Sequence, residues 1–309
     1  MFVVRALASI VFVFLPLSAT AQIPLSPDDL RPSLGMTWEQ EIAIALSSLA
    51  DTGFDIGSAG ADQSFDFTSS FSNAVLAPSL IRNSVIPLEQ APGAANFPEA
   101  DYAVYSIATV PNATGGMDEI EVYEYFQRNA AGDVTVGLEG EGGQAPLTFF
   151  EETPWPLEFG KSWTIENSSL VDQTISALGI VDPELLPPEV TISGQLSFQF
   201  AVDAWGEIRL PVGTFDCLRV HQTGTVVLAF GGNEQFESLG ETTSEIDAYV
   251  WYARGIGVVA MVIEIKQTFA SGNIPPVTIS QLIRLTEISS PASAVAATSW
   301  GALKQKFAE

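Results

Sequence analysis

The sequence predicts an all-β fold, with long antiparallel strands in a curved half-barrel sheet or a two-layer sandwich and a short C-terminal helix. From Val190 to Ala204, apolar and polar residues alternate without a break. A period of two over this length indicates a strand with one buried and one wetter face, because a helix would scatter these residues around its axis. Clusters of glycine and proline separate the other apolar runs, and signals for helix starts are few.

The N-terminus has the pattern of a secretory signal peptide. Arg5 precedes an apolar run from Ala6 to Leu17, and Ala19 and Ala21 give the small-residue pattern of a cleavage site before Gln22. We therefore assign residues 1–21 to a removed signal peptide and expect export to the periplasm, the cell surface or the medium. The apolar run is shorter than the roughly 20 residues of a membrane-spanning helix, so we expect no membrane span after signal removal.

The remaining chain divides at one proline-rich point. Residues 182–188, DPELLPP, hold three prolines, which do not pair inside a sheet. We predict an N-terminal β-rich part over 22–187 and a C-terminal β-rich part over 188–288, either as separate parts or as one continuous domain. Residues 289–309 are predicted to be a linker and a tail.

Period-two patterning predicts a series of further strands. Besides residues 190–204, the candidates are Thr37–Leu46, Asp101–Thr109, Glu119–Gln127, Asp133–Glu139, Ser162–Leu170, Phe215–Phe230, Ile246–Tyr252, Gly257–Thr268 and Val277–Glu287.

Turn and helix signals lie between and beyond these strands. Ala131-Gly132-Asp133 predicts a hairpin turn, and Leu210-Pro211-Val212-Gly213 suits a turn in which proline sets φ at the second position. Ser26 before Pro27 predicts a capped single helical turn. In the tail, Ser299 is a candidate cap for a helix with Trp300, Leu303 and Phe307 on one stripe.

Charge excludes one class of partner. The 37 acidic and 12 basic residues give a formal net charge of −25, spread along the chain. A body of this sign repels phosphate backbones, so we expect no nucleic-acid partner. The densest acidic cluster, at residues 118, 119, 121 and 124, lacks the ligand spacing and glycine of a calcium loop. Strand alternation would also divide it between two faces, and we predict no metal and no cofactor.

Cys217 and His221 are the only cysteine and the only histidine, four positions apart. On a helix such a pair would lie close together, but on a strand it stands about 13 Å apart at 3.3 Å per residue. The β-forming residues around them, and the turn just before, favour the strand. A thiolate and an imidazole must come within about 3 Å to react as a pair. We therefore expect a buried thiol and a strand histidine rather than a catalytic dyad, and we assign no catalytic residue.

Other catalytic motifs are missing from the sequence. One histidine cannot complete a two-histidine zinc motif, and there is no GxSxG elbow and no glycine-rich phosphate loop. Acid–base hydrolysis by two carboxylates stays open, because such a pair is set by separation in space.

Two aromatic clusters are candidates for ligand contact. Trp155, Phe159 and Trp163 form the first, and residues 249–252 hold Tyr249, Trp251 and Tyr252. Such rings can stack on sugars or line a groove for an apolar ligand, or they can pack within the core of the sheet.

Three segments resemble a group of exported β-rich proteins of Gram-negative bacteria. Residues 156–163, PLEFGKSW, are similar to the motif Pxx[FY]GxxW of that group. Residues 203–220, DAWGEIRLPVGTFDCLRV, are similar to DxxGx[LI]xxPxGT[FY]xxxLRV. Residues 55–67, DIGSAGADQSFDF, resemble a glycine-rich entry into a WDF strand, with Phe65 in the place of the tryptophan. The resemblance implies export and a β-rich fold, but it carries over no activity and no functional residue.

These observations predict a non-enzymatic binding or structural component of the cell envelope or surface, holding an apolar or glycan ligand. Two alternatives remain open at this point, a secreted hydrolase that uses two carboxylates and an outer-membrane β-barrel, whose strands alternate in the same way. The sequence does not indicate the oligomeric state.

Overall fold

The computed structural model describes residues 24–74, 79–111, 117–129, 132–140, 143–146, 154–174, 191–231, 241–270 and 275–289. The predicted signal peptide at 1–21, the boundary at 182–188 and the helix of the tail lie outside these residues.

Strands dominate the described part of the chain, which confirms the all-β prediction. All ten strand candidates lie largely within observed strands, and β2, β3 and β7 are additional to them. The strands are β1 Thr37–Ala45, β2 Gly60–Asp66, β3 Ser79–Pro87, β4 Tyr102–Pro111, β5 Met117–Asn129, β6 Gly132–Gly140, β7 Gly143–Pro146, β8 Ser162–Thr174, β9 Thr191–Leu210, β10 Gly213–Gly231, β11 Glu241–Ala253, β12 Gly257–Phe269 and β13 Val277–Ser289.

Helical structure within these ranges is limited to short turns. The four-residue helix α1, Pro27–Leu30, begins at Ser26 as predicted, and the Asp29 carboxylate accepts hydrogen bonds from the backbone N–H and the hydroxyl of Ser26. Single 3₁₀ turns occur at Leu49–Thr52, Leu88–Gln90 and Ala94–Asn96.

The strands form one curved sheet that does not close. Its order is β2-β9-β10-β11-β12-β13-β1-β3-β4-β5-β6-β7, and β8 pairs with β9 beside β2. Neighbours are antiparallel except β2 and β9, which run parallel. Among the described residues, β2 and β7 at the two ends of this order do not pair with each other, so the half-barrel is open.

The two predicted hairpin turns join neighbouring strands. Asn129 pairs with Gly132 at the end of the β5–β6 hairpin, and Leu210 pairs with Gly213 at the end of the β9–β10 hairpin. Gly213 has a φ of 146°, which an L side chain rarely adopts, and this explains the glycine at the fourth position of the turn.

A β-bulge corrects the prediction that residues 190–204 share one alternation. Along β10, Arg219 pairs with Ala204 and the next residue, Val220, pairs with Val202, so Asp203 is an extra residue in β9. An extra residue reverses the side-chain parity beyond it. Val202 therefore packs in one hydrophobic cluster and Ala204 in another, on the opposite face of the sheet.

The two faces of the sheet are covered by different segments. We call the face that lines the central cavity the inner face, and it packs against residues 24–36 and 154–163. The outer face is covered by residues 46–74 over the middle of the sheet and by residues 88–100 over β4 to β6. Two buried arginines attach the first of these covers. Arg219 binds the carbonyl oxygens of Ile56 and Gly57, and Arg284 binds that of Phe67.

Candidate functional site

A cavity of about 500 Å³ lies between the inner face of the curved sheet and the N-terminal segment. Strands β4 and β5 form one wall, strands β9 to β11 form the other, and β1 and β3 lie between them at the back. Both walls can reach one cavity because the sheet curves. The volume lies within the range of about 300–1,000 Å³ that is typical of small-molecule sites.

Most of the wall is apolar, and aromatic side chains line it from both sides, with Trp38, Tyr102 and Phe126 on β1, β4 and β5. Trp155 and Trp163, from the loop before β8 and from its start, line the cavity with Phe200 of β9 and Tyr252 of β11. The rings of Trp163 and Phe200 stack with their centroids 4.9 Å apart and an interplanar angle of 4°. The indole N–H of Trp163 is buried and has no protein acceptor in the described residues.

The two predicted aromatic clusters are divided by the fold. Trp155 and Trp163 face the cavity, but Phe159 between them is 41% exposed. In the second cluster Tyr252 faces the cavity, while Tyr249 and Trp251 pack on the outer face. The division follows from alternation along β11, where side chains at successive positions point to opposite faces.

A row of polar side chains interrupts the apolar wall on four neighbouring strands. Gln40, Asn83, Ser106 and Glu124 stand on β1, β3, β4 and β5 and line the cavity. The amide of Asn83 donates to Gln40 at 3.3 Å, and the hydroxyl of Ser106 donates to Asn83 at 2.8 Å. These three side chains are therefore linked by hydrogen bonds, and Glu124 stands at the end of the row.

Within the acidic cluster at residues 118, 119, 121 and 124, Glu124 is the side chain that faces the cavity. Asp118, Glu119 and Glu121 on the same strand are exposed. The hydroxyl of Thr135 on β6 donates to the Glu124 carboxylate at 2.7 Å. Burial raises the pKa of Glu124 above its usual range, and the hydrogen bond from Thr135 only partly opposes this effect.

Asp133 is the second acidic residue that lines the cavity in the described part of the chain, and its carboxylate already has hydrogen-bond partners. Its carboxylate accepts hydrogen bonds from Arg31 at 2.8 Å and from the hydroxyl of Tyr102 at 2.7 Å. Arg128 lies 3.9 Å from the same group and its guanidinium stacks over the ring of Tyr102. Asp133 thus joins the N-terminal segment to β4, β5 and β6.

The N-terminal segment crosses the cavity and is attached at both sides. We call residues 24–32 the strap. On one side Arg31 binds Asp133 and the carbonyl oxygen of Asn129. On the other side Asp29 pairs with Arg254, and its carbonyl oxygen accepts a hydrogen bond from Gly255. Leu25 also exchanges two backbone hydrogen bonds with Leu157.

Cys217 and His221 both lie on β10, which confirms the predicted strand, and they face outward into different surroundings. Cys217 is buried in the outer core, and burial raises the pKa of its thiol. The Nε2 of His221 lies 2.7 Å from Asp247, and its ring stacks on Tyr249 with the centroids 4.3 Å apart. Arg219 stands between them on the same face, and neither residue lines the cavity.

The described residues contain neither a cluster of metal-ligating side chains nor a membrane-spanning helix. Within them, no group of three or more His, Cys, Asp or Glu side chains is placed to hold a metal ion. No helix in the same ranges is long and apolar enough to cross a membrane.

The polar row and the strap are the parts of the site that sequence reasoning missed. A usable signal exists in the alternation itself. Gln40 stands two positions after Trp38, Ser106 two after Val104, and Glu124 two before Phe126, so each is a polar residue on an otherwise apolar side of its strand. The sequence does not show that these strands are neighbours or that they share one cavity.

Comparison with known proteins gives two solved structures with a loose likeness. No family model matches the sequence, and no curated protein matches it. A candidate lipoprotein of Parabacteroides distasonis is 14% identical, with a TM-score of 0.29. A candidate exported protein with a YmcC-like fold from Bacteroides fragilis is 10% identical, with a TM-score of 0.30. Each alignment covers 87% of this chain and 100% of the other. TM-scores of this size do not show that this chain shares the fold or the role of either protein.

Proposed function

We propose that this protein is an exported, non-enzymatic binding protein that holds one small, largely apolar ligand in the cavity of its curved sheet. The observation that carries the proposal is the cavity itself, about 500 Å³ in volume and lined by aromatic and aliphatic side chains from both ends of the sheet. Concave, mostly apolar sites with a few placed polar groups are the usual form of small-molecule sites.

An apolar ligand fits this cavity better than a glycan does. Sugar-binding aromatic rings offer an open face for stacking, but the face of Trp163 toward Phe200 is already covered by that ring. Outside the polar row, Arg31 and Asp133 are paired with each other and Gln222 is the remaining polar side chain of the wall, while Gln40, Asn83 and Ser106 bond to one another. A glycan presents hydroxyls on all sides and would leave most of them facing hydrocarbon.

Binding can be tested with the apolar fluorophore N-phenyl-1-naphthylamine, whose emission rises in apolar surroundings. We expect saturable binding of one probe per chain. Val220 lines the cavity from β10, so Val220→Phe should fill part of it and weaken binding at least about tenfold. Val227 on the same strand points to the opposite face, and Val227→Phe is the matched control.

Circular dichroism and urea unfolding of both variants would show that they fold. Unsaturable binding to the wild type, or equal affinity in the folded Val220→Phe variant and its control, would contradict the proposal.

Export is the second part of the proposal and is supported by the apolar run of residues 6–17 with the cleavage pattern at 19–21. In a Gram-negative host, we expect the protein in the osmotic-shock or extracellular fraction, with Gln22 as the mature N-terminus by mass spectrometry. Recovery from the cytoplasm with Met1 intact would contradict export. It would not bear on ligand binding, which the fluorophore titration tests separately.

A further inference from the structure

We propose that the ligand carries a positively charged amine and that Glu124 is the group that binds this amine. The inference rests on the proposed function, because it specifies the polar group of a ligand that the cavity is proposed to hold. The ligand class is then a cationic amphiphile, with its apolar part against the aromatic wall and its ammonium at the polar row.

Glu124 differs from the other side chains of the polar row in its hydrogen bonds. Gln40, Asn83 and Ser106 pair among themselves, but the Glu124 carboxylate accepts one hydrogen bond, from the neutral hydroxyl of Thr135. An ionised carboxylate has about four acceptor positions on its two oxygens. No cation pairs with Glu124 among the described residues. Capacity for an N–H donor therefore remains where the side chain faces the cavity.

The charged side chains that line the cavity in the described part of the chain balance one another, except for Glu124. Arg31 is the one basic side chain that lines the cavity in the described part of the chain, and it is paired with Asp133 and Asp28. Asp133 is in turn neutralised by Arg31 and Arg128. The charge left over is that of Glu124, so the interior favours a cation over a carboxylate or phosphate.

An amine would remove the free-energy cost of keeping the Glu124 carboxylate ionised in a buried position. Burial removes the Glu124 carboxylate from water, so its ionised form is poorly solvated in the folded protein and its pKa is raised. An ammonium within hydrogen-bond distance would stabilise that ionised form, and hydrogen bonds between charged partners are stronger than those between neutral groups. Neither an alcohol nor a fatty acid offers this compensation.

Glu124 lies across the cavity from the aromatic side chains around Phe200. It stands on β5, whereas Phe200 and Val220 stand on β9 and β10, on the opposite side of the cavity. A chain that extends from the carboxylate across the cavity would place its hydrocarbon against Trp155, Trp163 and Phe200. Tyr102, Val104 and Phe126 add apolar surface beside Glu124, and Gln222 is a polar exception on β10. One carboxylate in a wall that is otherwise mostly apolar is the complement of a cationic amphiphile.

The test compares three probes with the same twelve-carbon chain, dodecylammonium, dodecanol and laurate, each used below its aggregation concentration. Displacement of N-phenyl-1-naphthylamine from the full-length mature protein at pH 7 measures their affinities. We expect dodecylammonium to bind about tenfold tighter than dodecanol or more, and laurate to bind most weakly.

Two variants identify the residue. Glu124→Gln keeps the shape and the acceptor for Thr135 but removes the charge, and it should reduce the preference for dodecylammonium over dodecanol to within about threefold. Glu119→Gln changes an exposed residue of the same strand and should leave the preference unchanged.

Each outcome decides between the two proposals. If none of the three probes displaces the fluorophore and the fluorophore itself does not bind, the proposed function fails. If dodecanol or laurate binds the wild type as tightly as dodecylammonium, the cavity holds apolar ligands but the proposal that it selects an amine is wrong. If the preference for dodecylammonium persists in Glu124→Gln, the assignment of Glu124 is wrong.

Discussion

The guanidinium of Arg219 donates two hydrogen bonds to the carboxylate of Asp203, each 2.9 Å long, at the point where β9 carries its extra residue. Arg219 is 1% exposed and also binds the carbonyl oxygens of Ile56 and Gly57. One side chain thus fixes the bulge and attaches the segment that covers the outer face. The rings of Phe65, Tyr249 and Trp251 surround the same guanidinium.

Replacement of Arg219 by leucine should lower the free energy of unfolding by about 3–5 kcal/mol, because it leaves the carboxylate of Asp203 partly buried without a partner. Urea unfolding followed by tryptophan fluorescence measures the loss. Arg209→Leu is the control, since Arg209 is 56% exposed and pairs with Glu207 at 3.5 Å, an arrangement that contributes about 0–1 kcal/mol. Similar losses in the two variants would contradict a special role for Arg219.

The Cys217 thiol should resist modification while the protein is folded. Cys217 is 7% exposed and burial raises the pKa of its thiol, so little thiolate is present at pH 8. We expect negligible reaction with a thiol-specific disulfide reagent in buffer. In about 8 M urea, where unfolding exposes the thiol to solvent, we expect one equivalent of the reagent to react. Rapid labelling of the native protein would show that the thiol is accessible and would reopen the question of its reactivity.

Glu124→Gln should stabilise the folded protein at neutral pH. Because burial raises the pKa of Glu124 in the folded state, the native protein binds this proton more tightly than the unfolded chain does. The contribution of Glu124 to stability is therefore complete below the usual carboxylate range and is lost as pH rises through the raised value. Thermal unfolding should give a higher Tm for the variant at pH 7 and little difference near pH 4.

Glu287→Gln, a change at an exposed position of β13, should leave the shape of the pH profile unaltered. If Glu124→Gln has the lower Tm at pH 7, the carboxylate makes a stabilising contact in the ligand-free protein, and the pKa argument is wrong.

Weakening the attachment of the strap should speed the exchange of ligand. Arg31→Ala removes the contacts of the strap with Asp133 and Asn129 but leaves the pair of Asp29 with Arg254 in place. Stopped-flow displacement should then show probe dissociation several times faster than in the wild type, because the segment that crosses the cavity opens more often. Arg82→Ala, which removes an exposed pair with Glu39, is the control and should leave the rate unchanged.

Alternation along single strands was enough to predict most of the fold. It located ten strands and placed Cys217 and His221 on β10, because period two is a local property of the sequence. It missed β3, where Arg82, Asn83 and Ser84 interrupt the apolar pattern, and β7, whose four residues include a glycine and a proline. The bulge at Asp203 was also missed, since an extra residue is visible only against its partner strand.

The site was less accessible to prediction than the fold. Trp155 and Trp163 were candidates for ligand contact, but nothing local separates a ring that faces the cavity from one that packs outside, as Tyr249 and Tyr252 show. The polar row depends on strands that are far apart in the chain, since Gln40 on β1 and Glu124 on β5 are 84 positions apart, with β2, β3 and β4 between them. Such arrangements follow from the pairing order and not from any single segment.

The position of β1 between β13 and β3 has a consequence for how the molecule is made. Strands from the two ends of the described chain meet in the middle of the sheet, with Ile42 beside Ile283. Contacts between such distant residues form slowly, because a long loop must first be closed. A growing polypeptide therefore carries β1 with one unsatisfied edge until β13 has been synthesised, and an unpaired edge of this kind is open to pairing with a neighbouring molecule.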